Sequence, residues 1–175
     1  AVHSMKDLPT VLPEGLMIAC HPPREDPRDA FFSTKAATLT ELPPGAVVGT
    51  SSLRRQAIVL SLRPDLKVTV FRGNVDTRLK KLEAGVVDAT LLAVAGLNRL
   101  GLAHLIKNIL PPEIMLPAVA QGTLGIEVRT DNEIVRKMLA PLHCPVTAIR
   151  TAAERAFLEV MDGSCHTPLA ALMSV

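Results

Sequence analysis

Apolar positions along this chain come in short runs separated by proline and glycine, and most runs have the length of one strand or one helix. Leu16–Cys20 and Val47–Gly49 are apolar stretches too short for helices, and they predict strands. Residues 68–71 and 88–94 predict two more, and residues 125–129 another. The chain opens on an apolar stub that also reads as strand and ends at His3-Ser4. Helical periodicity appears at Leu53–Leu62, where Thr50-Ser51-Ser52 offers N-cap side chains and Pro64 stops the helix. A second helix is predicted over Val75–Glu83, closed near Gly85, and a third opens at Ala95-Gly96 and runs through Arg99. Residues 132–142 form an amphipathic pattern with Ile134, Val135, Met138, Leu139 and Leu142 on the apolar face. Residues 146–161 form another, with Ile149, Ala153, Ala156, Phe157 and Val160 predicted to face inward. Proline-rich segments at residues 21–27 and 111–117 read as linkers. In the middle of the chain, strand and helix alternate at the spacing of right-handed crossovers, which predicts α/β architecture with parallel strands.

Composition sharpens this picture. Of 175 residues 48% are hydrophobic, yet there are four Phe, no Trp and no Tyr, so the core is built from aliphatic side chains. Such a core suits buried strands covered by helices. The net charge of +2 is too small to argue for nucleic acid, and stacking platforms are missing. Basic residues concentrate in the middle third, which predicts a local anion site and no nucleic-acid partner. Three cysteines without CxxC spacing argue against a disulfide framework. His143-Cys144 and Cys165-His166 lack the spacing of structural zinc ligands, so no metal is expected. No apolar run reaches the roughly 20 residues of a membrane span, and no signal peptide is visible, so no membrane partner is expected.

Two motifs fall at predicted strand ends, where open α/β sheets bind ligands. Thr50-Ser51-Ser52 precedes a helix whose free N–H groups and dipole favour an anion, and Arg54 and Arg55 follow in the first turn. Arg72-Gly73-Asn74 follows the next strand, with Arg78 one turn on. Guanidinium groups bind carboxylates through two parallel hydrogen bonds, so these residues predict a pocket for a polycarboxylate or polyphosphate. Helix caps and a solvated arginine face are the plainer explanation of either motif alone. Lys6-Asp7 pairs an ammonium with a carboxylate in a proline-flanked loop, a combination suited to stabilising a cation or moving a proton. Cys165 lies in a short polar loop after a helix.

Six blocks resemble the porphobilinogen deaminase (hydroxymethylbilane synthase) family, in that family's order. They are VHSMKDLPT at residues 2–10, REDPRDAF at 24–31, VVGTSSLRRQ at 47–56, FRGNVDTRLKKL at 71–82, LPAVAQGTLGIE at 116–127 and DGSCHTP at 162–168. The resemblance implies an α/β fold of two periplasmic-binding-protein-like lobes with mixed or parallel sheets, plus the start of a small α+β C-terminal domain. It places residues 1–22 and 123–140 in the first domain, whose N-terminal portion precedes Ala1, residues 28–116 in the second, and residues 145–175 at the start of the third. It further implies a dipyrromethane cofactor joined by a thioether to Cys165, where a thiolate is a competent carbon nucleophile. The cofactor's carboxylates would contact Ser4, Lys6, Thr50, Ser52, Arg54, Arg55, Arg78 and Gln121, with incoming porphobilinogen near Arg72 and Arg99. Asp7 would be the catalytic carboxylate, stabilising the cation formed as ammonia leaves porphobilinogen. Four rounds of addition and release by water would give hydroxymethylbilane. The family reading carries with it a monomer in the cytoplasm or a plastid. The rival from another class is a non-catalytic solute-binding protein for a polycarboxylate, which needs the arginines but neither Asp7 nor Cys165. A regulatory ligand-sensing domain is a second rival, and it would require a DNA-binding module that the sequence does not display.

Overall fold

The computed structural model of the chain describes residues 1–161 and 167–174. In chain order the strands and α-helices are β1 (Val2–Ser4), β2 (Leu16–Cys20), β3 (Asp29–Ser33), β4 (Val47–Gly49), α1 (Leu53–Leu62), β5 (Lys67–Thr69), α2 (Val75–Glu83), β6 (Ala89–Ala93), α3 (Val94–Arg99), β7 (Asn108–Leu110), β8 (Leu124–Arg129), α4 (Glu133–Leu139) and α5 (Pro145–Val160). They form two compact units. Unit 1 comprises Ala1–Pro27 and Pro117–Val175, and unit 2 is Arg28–Leu116.

Unit 2 is a five-stranded sheet in the order β5-β4-β6-β3-β7. β4 runs parallel to β5 and β6, whereas β3 is antiparallel to both β6 and β7. The alternation of strand and helix correctly anticipates the parallel half. The antiparallel half makes the sheet mixed, as the family resemblance implied, and β3 and β7 are short strands in proline-flanked sequence that the hydrophobic pattern alone did not mark. Buried Val48, Val59, Leu91, Phe31 and Met115 fill one face, and Ala30, Leu92, Val94 and Leu97 fill the other. α1 and α2 have the predicted bounds because their caps form: Ser52 Oγ accepts from Arg55 N (3.4 Å) and Asn74 Oδ1 from Thr77 N (2.8 Å). β5 ends at Thr69, one step before Val70, which is 69% exposed, so the strand predicted at residues 68–71 is shifted. Gly49 closes β4 against the Phe71 ring: a Cβ there would lie 2.7 Å from the ring carbon.

Unit 1 contains a three-stranded antiparallel sheet, β1-β8-β2, with Met5, Val119 and Ala120 buried beside Leu8, Ile18 and Leu158. α5 overturns the predicted burial. Its buried residues are Thr147, Thr151 and Glu154, while Ile149, Phe157 and Val160 are exposed. α4 is also shorter than predicted, and Ile134, Met138 and Leu142 are exposed. The cause in α5 is a buried charge that only tertiary structure reveals. Glu154 receives the Arg24 guanidinium at 2.6 and 3.1 Å, together with Ala120 N at 2.6 Å and Met173 N at 2.9 Å. A fully satisfied carboxylate can occupy a core position that an unsatisfied one cannot.

No described helix is long and apolar enough to cross a membrane. Among the described residues no group of three or more His, Cys, Asp or Glu is arranged to hold a metal.

Candidate anion and catalytic sites

In unit 2 the chain leaves β4 at Gly49 and enters α1 through Thr50-Ser51-Ser52. Thr50 N donates to Thr69 O at 3.0 Å, which ties the carboxyl ends of β4 and β5 together. Thr50 Oγ1 accepts from Ser52 N at 3.1 Å, and Ser51 Oγ donates to Phe71 O at 3.0 Å. This narrow turn sends the first residues of α1 back over the sheet. Arg54 and Arg55 are thereby buried, at 4% and 7% exposure.

Both guanidiniums converge on one fully buried carboxylate, Asp29, at the start of β3. Arg54 Nη2 lies 2.7 Å from Asp29 Oδ2, and Arg55 Nη2 lies 2.7 Å from Asp29 Oδ1. Arg55 adds an Nε contact to Asp29 at 3.3 Å and donates to Leu91 O at 2.9 Å. Arg54 donates to Leu116 O at 2.6 Å. Burial opposes ionisation of Asp29, but the two guanidiniums override it and hold its carboxyl well below the usual carboxylate range. Burial pushes Arg54 down from its ordinary value, with Arg55 adding to the effect against Asp29.

Arg78 on α2 is half-buried. Burial and the nearby Arg55 charge both lower its pKa. The Nε atoms of Arg54 and Arg78 are buried and have no hydrogen-bond partner among the described residues. Arg54 and Arg55 therefore share the Asp29 carboxylate, Arg78 lies close enough to Arg55 to feel its charge, and the Nε donors of Arg54 and Arg78 are buried without an acceptor among the described residues. Such an arrangement is costly unless an anion completes it. Arg72 is exposed beyond β5, and Arg99 is exposed at the end of α3.

In unit 1, Ser4 ends β1, and Met5–Asp7 form one 3-10 turn with Met5 buried, Lys6 half-buried and Asp7 exposed. The turn is braced from α5. The Arg155 guanidinium donates to Met5 O and Leu8 O at 3.3 Å each, to Thr10 O at 3.1 Å and to Pro9 O. Gln121 is 1% exposed, and its side-chain amide donates to Pro27 O at 2.7 Å. Its backbone carbonyl accepts from Arg24 Nε at 2.9 Å. Ala120 beside it has φ +58, the lone positive φ among the described non-glycine residues, and Gly122 has φ +87. Cys165 and its neighbours in the DGSCHTP block lie outside the described residues, apart from Thr167 and Pro168.

The structure thus places Thr50, Ser52, Arg54 and Arg55 in and just after the turn that follows the carboxyl end of β4, with Arg78 of α2 near Arg55. It gathers Ser4, Lys6 and Asp7 on one turn of unit 1. Sequence reasoning missed Asp29, Arg155 and the Arg24–Glu154 pair. Asp29 sits in the quoted REDPRDAF block, but an acid flanked by arginine gives no sign that its partners lie 25 and 26 residues downstream.

Comparison with known proteins gives a consistent result. Residues 1–137 match the family described as "Porphobilinogen deaminase, dipyromethane cofactor binding domain". The chain is 58% identical over 172 residues to the porphobilinogen deaminase of Paracoccus denitrificans, which covers 98% of the chain and 55% of that protein. It is 55% identical over 169 residues to the Nitrobacter hamburgensis porphobilinogen deaminase, covering 97% of the chain and 54% of that protein. The chain therefore spans about half the length of these relatives. A solved Bacillus subtilis structure described as a methionine-binding lipoprotein superposes with a TM-score of 0.51 at 14% identity, covering 76% of the chain and 63% of that protein, a likeness of fold alone. The mixed α/β fold is accordingly one that this lipoprotein shares.

Proposed function

The chain belongs to the porphobilinogen deaminase family, and on that premise we propose that it acts in the head-to-tail joining of four porphobilinogen units, with loss of ammonia, to hydroxymethylbilane in tetrapyrrole biosynthesis. The observation that carries this reading is the excess of buried guanidinium in unit 2. Arg54 and Arg55 share a single carboxylate, and buried Nε donors on Arg54 and Arg78 await an acceptor. A ligand bearing several carboxylates supplies that acceptor, and linked pyrroles with acetate and propionate arms are such a ligand. The residues present therefore fit dipyrromethane.

In unit 2, Thr50, Ser52, Arg54, Arg55 and Arg78 take cofactor carboxylates, and Arg72 and Arg99 receive those of incoming porphobilinogen. In unit 1, Ser4, Lys6 and Gln121 are the cofactor contacts, and Cys165 is the thioether anchor. When bound, dipyrromethane supplies an unsubstituted pyrrole carbon as the nucleophile. Asp7 would pair with pyrrole N–H groups and stabilise the positive charge left on the substrate as ammonia departs, a role for which a carboxylate on a braced turn is suited. Arg155 keeps that turn in place by holding carbonyls on both sides of it. The reading also implies a monomer in the cytoplasm, without nucleic-acid partners.

The test replaces the matching segment of the Paracoccus denitrificans relative with this chain. The chimera is expected to consume porphobilinogen and release ammonia, and Asp7→Ala is expected to abolish turnover while leaving the fold intact. Undiminished turnover in Asp7→Ala, or a folded chimera with none, contradicts the reading.

A further inference from the structure

We propose that Asp29 is a positioning residue of the anion site, a buried internal carboxylate that holds Arg54 and Arg55 in the orientation in which their remaining donors meet the carboxylates of the ligand. The inference rests on the reading of this pocket as one for pyrrole carboxylates and adds a residue to it.

The geometry carries the argument. Asp29 is fully buried at the first position of β3 and registers opposite Ala93 on β6 and Leu110 on β7, so its backbone is held from both sides. Its two oxygens take different guanidiniums, Oδ1 that of Arg55 and Oδ2 those of both. Each guanidinium has five N–H donors in a rigid fork. Arg55 commits three to protein acceptors, two of them on Asp29 and one on Leu91 O. Arg54 commits two, to Asp29 and Leu116 O. Both side chains are therefore anchored by protein acceptors, and of their five N–H groups each, three on Arg54 and two on Arg55 remain. Arg54 Nε is among the free ones, and it is buried.

A flexible arginine pays rotamer entropy when it captures a ligand, whereas one held beforehand does not. Asp29 removes that cost at two side chains together, and one carboxylate against two arginines leaves the pocket positive. Simple electrostatics and positioning make opposite predictions for its removal. Neutralising Asp29 makes the pocket more positive, so a carboxylate that only repelled the ligand would give tighter binding when replaced by Asn. A positioning carboxylate gives weaker binding. Asp29→Glu separates the roles again, since it keeps the charge and displaces it by one methylene.

The experiment uses the 175-residue chain with 15N-labelled arginine. Arg54 and Arg55 Nε–Hε signals, assigned by Arg54→Lys and Arg55→Lys, are followed in wild type, Asp29→Asn and Asp29→Glu. Each protein is titrated with porphobilinogen, whose acetate and propionate arms are those of one cofactor ring and so probe the Arg54–Arg55 carboxylate pocket, in an Arg72→Leu/Arg99→Leu background that removes the substrate contacts. In wild type the Arg55 signal should be slowly exchanging before any ligand is added. In Asp29→Asn it should collapse into rapid exchange, with porphobilinogen binding at least about tenfold weaker. Asp29→Glu should also bind several-fold more weakly. Should Asp29→Asn fail to fold, Asp29→Glu and the ligand-free wild-type signals still decide the matter. Rapidly exchanging Arg55 in wild type, or binding in either folded variant that equals or exceeds wild type, overturns the proposal. Held arginines in a wild-type chain that binds no porphobilinogen would instead refute the ligand assignment and leave the positioning role supported.

Discussion

Glu154 offers the sharpest stability prediction in unit 1. It is 2% exposed and accepts four hydrogen bonds: two from Arg24, one from Ala120 N and one from Met173 N. Glu154→Ala leaves a guanidinium with 6% side-chain exposure and two backbone donors without their acceptor. Breaking a buried ion pair by removing one partner costs about 3–5 kcal/mol. Each stranded backbone N–H adds up to about 1–3 kcal/mol, reduced where water enters. Taken at the lower ends of these ranges the total is about 5 kcal/mol, a large part of the roughly 5–15 kcal/mol that holds an ordinary domain together. Arg129–Asp131 provides the control: its partners are 72% and 65% exposed, and Asp131→Ala should cost no more than about 0.5 kcal/mol. The assay is urea unfolding followed by far-ultraviolet circular dichroism, with the m-value checked for constancy. A loss below about 1 kcal/mol for Glu154→Ala would refute the claim that this carboxylate is what permits the polar face of α5 to turn inward.

Gly122→Ala should be strongly destabilising, by more than about 2 kcal/mol in the same assay, because φ is +87 and an added Cβ would run into the Glu25 carbonyl oxygen. Arg155→Ala should raise hydrogen-exchange rates at residues 5–10 with little change at unit 2 amides, since the guanidinium holds the carbonyls of Met5, Leu8, Pro9 and Thr10. The hydrogen bonds from Lys35 and from Val47 N hold the Asp88 carboxyl below its ordinary value. A carboxylate depressed in the folded state contributes stability that is present above about pH 4 and is lost as pH falls through its folded value. Asp88→Asn should therefore flatten the decline in stability below about pH 4, and an unchanged acid slope would show that this interaction does not contribute.

Local signals in the sequence carried much of the fold. The Ser52 and Asn74 caps, with Pro64 and Gly85 as stops, delimited α1 and α2 because those interactions act within a few residues. Burial on α5 was not legible, since Thr147, Thr151 and Glu154 share a helical face as readily as Ile149, Ala153, Ala156, Phe157 and Val160 do. The choice between the faces is made by Arg24, 130 residues away. Arg54 and Arg55 illustrate the same limit within the candidate site. Their position after a strand marked them as anion ligands, but Asp29 is joined to them only by the pairing of β3 with β6.

The central claim is that this chain carries a dipyrromethane on Cys165, and intact mass of the Paracoccus chimera tests it most directly. A mass increment of two linked pyrrole units should appear in the parent, persist in Cys20→Ala and Cys144→Ala, and vanish in Cys165→Ala. An adduct that survives Cys165→Ala, or a folded and active parent that carries none, would contradict the account.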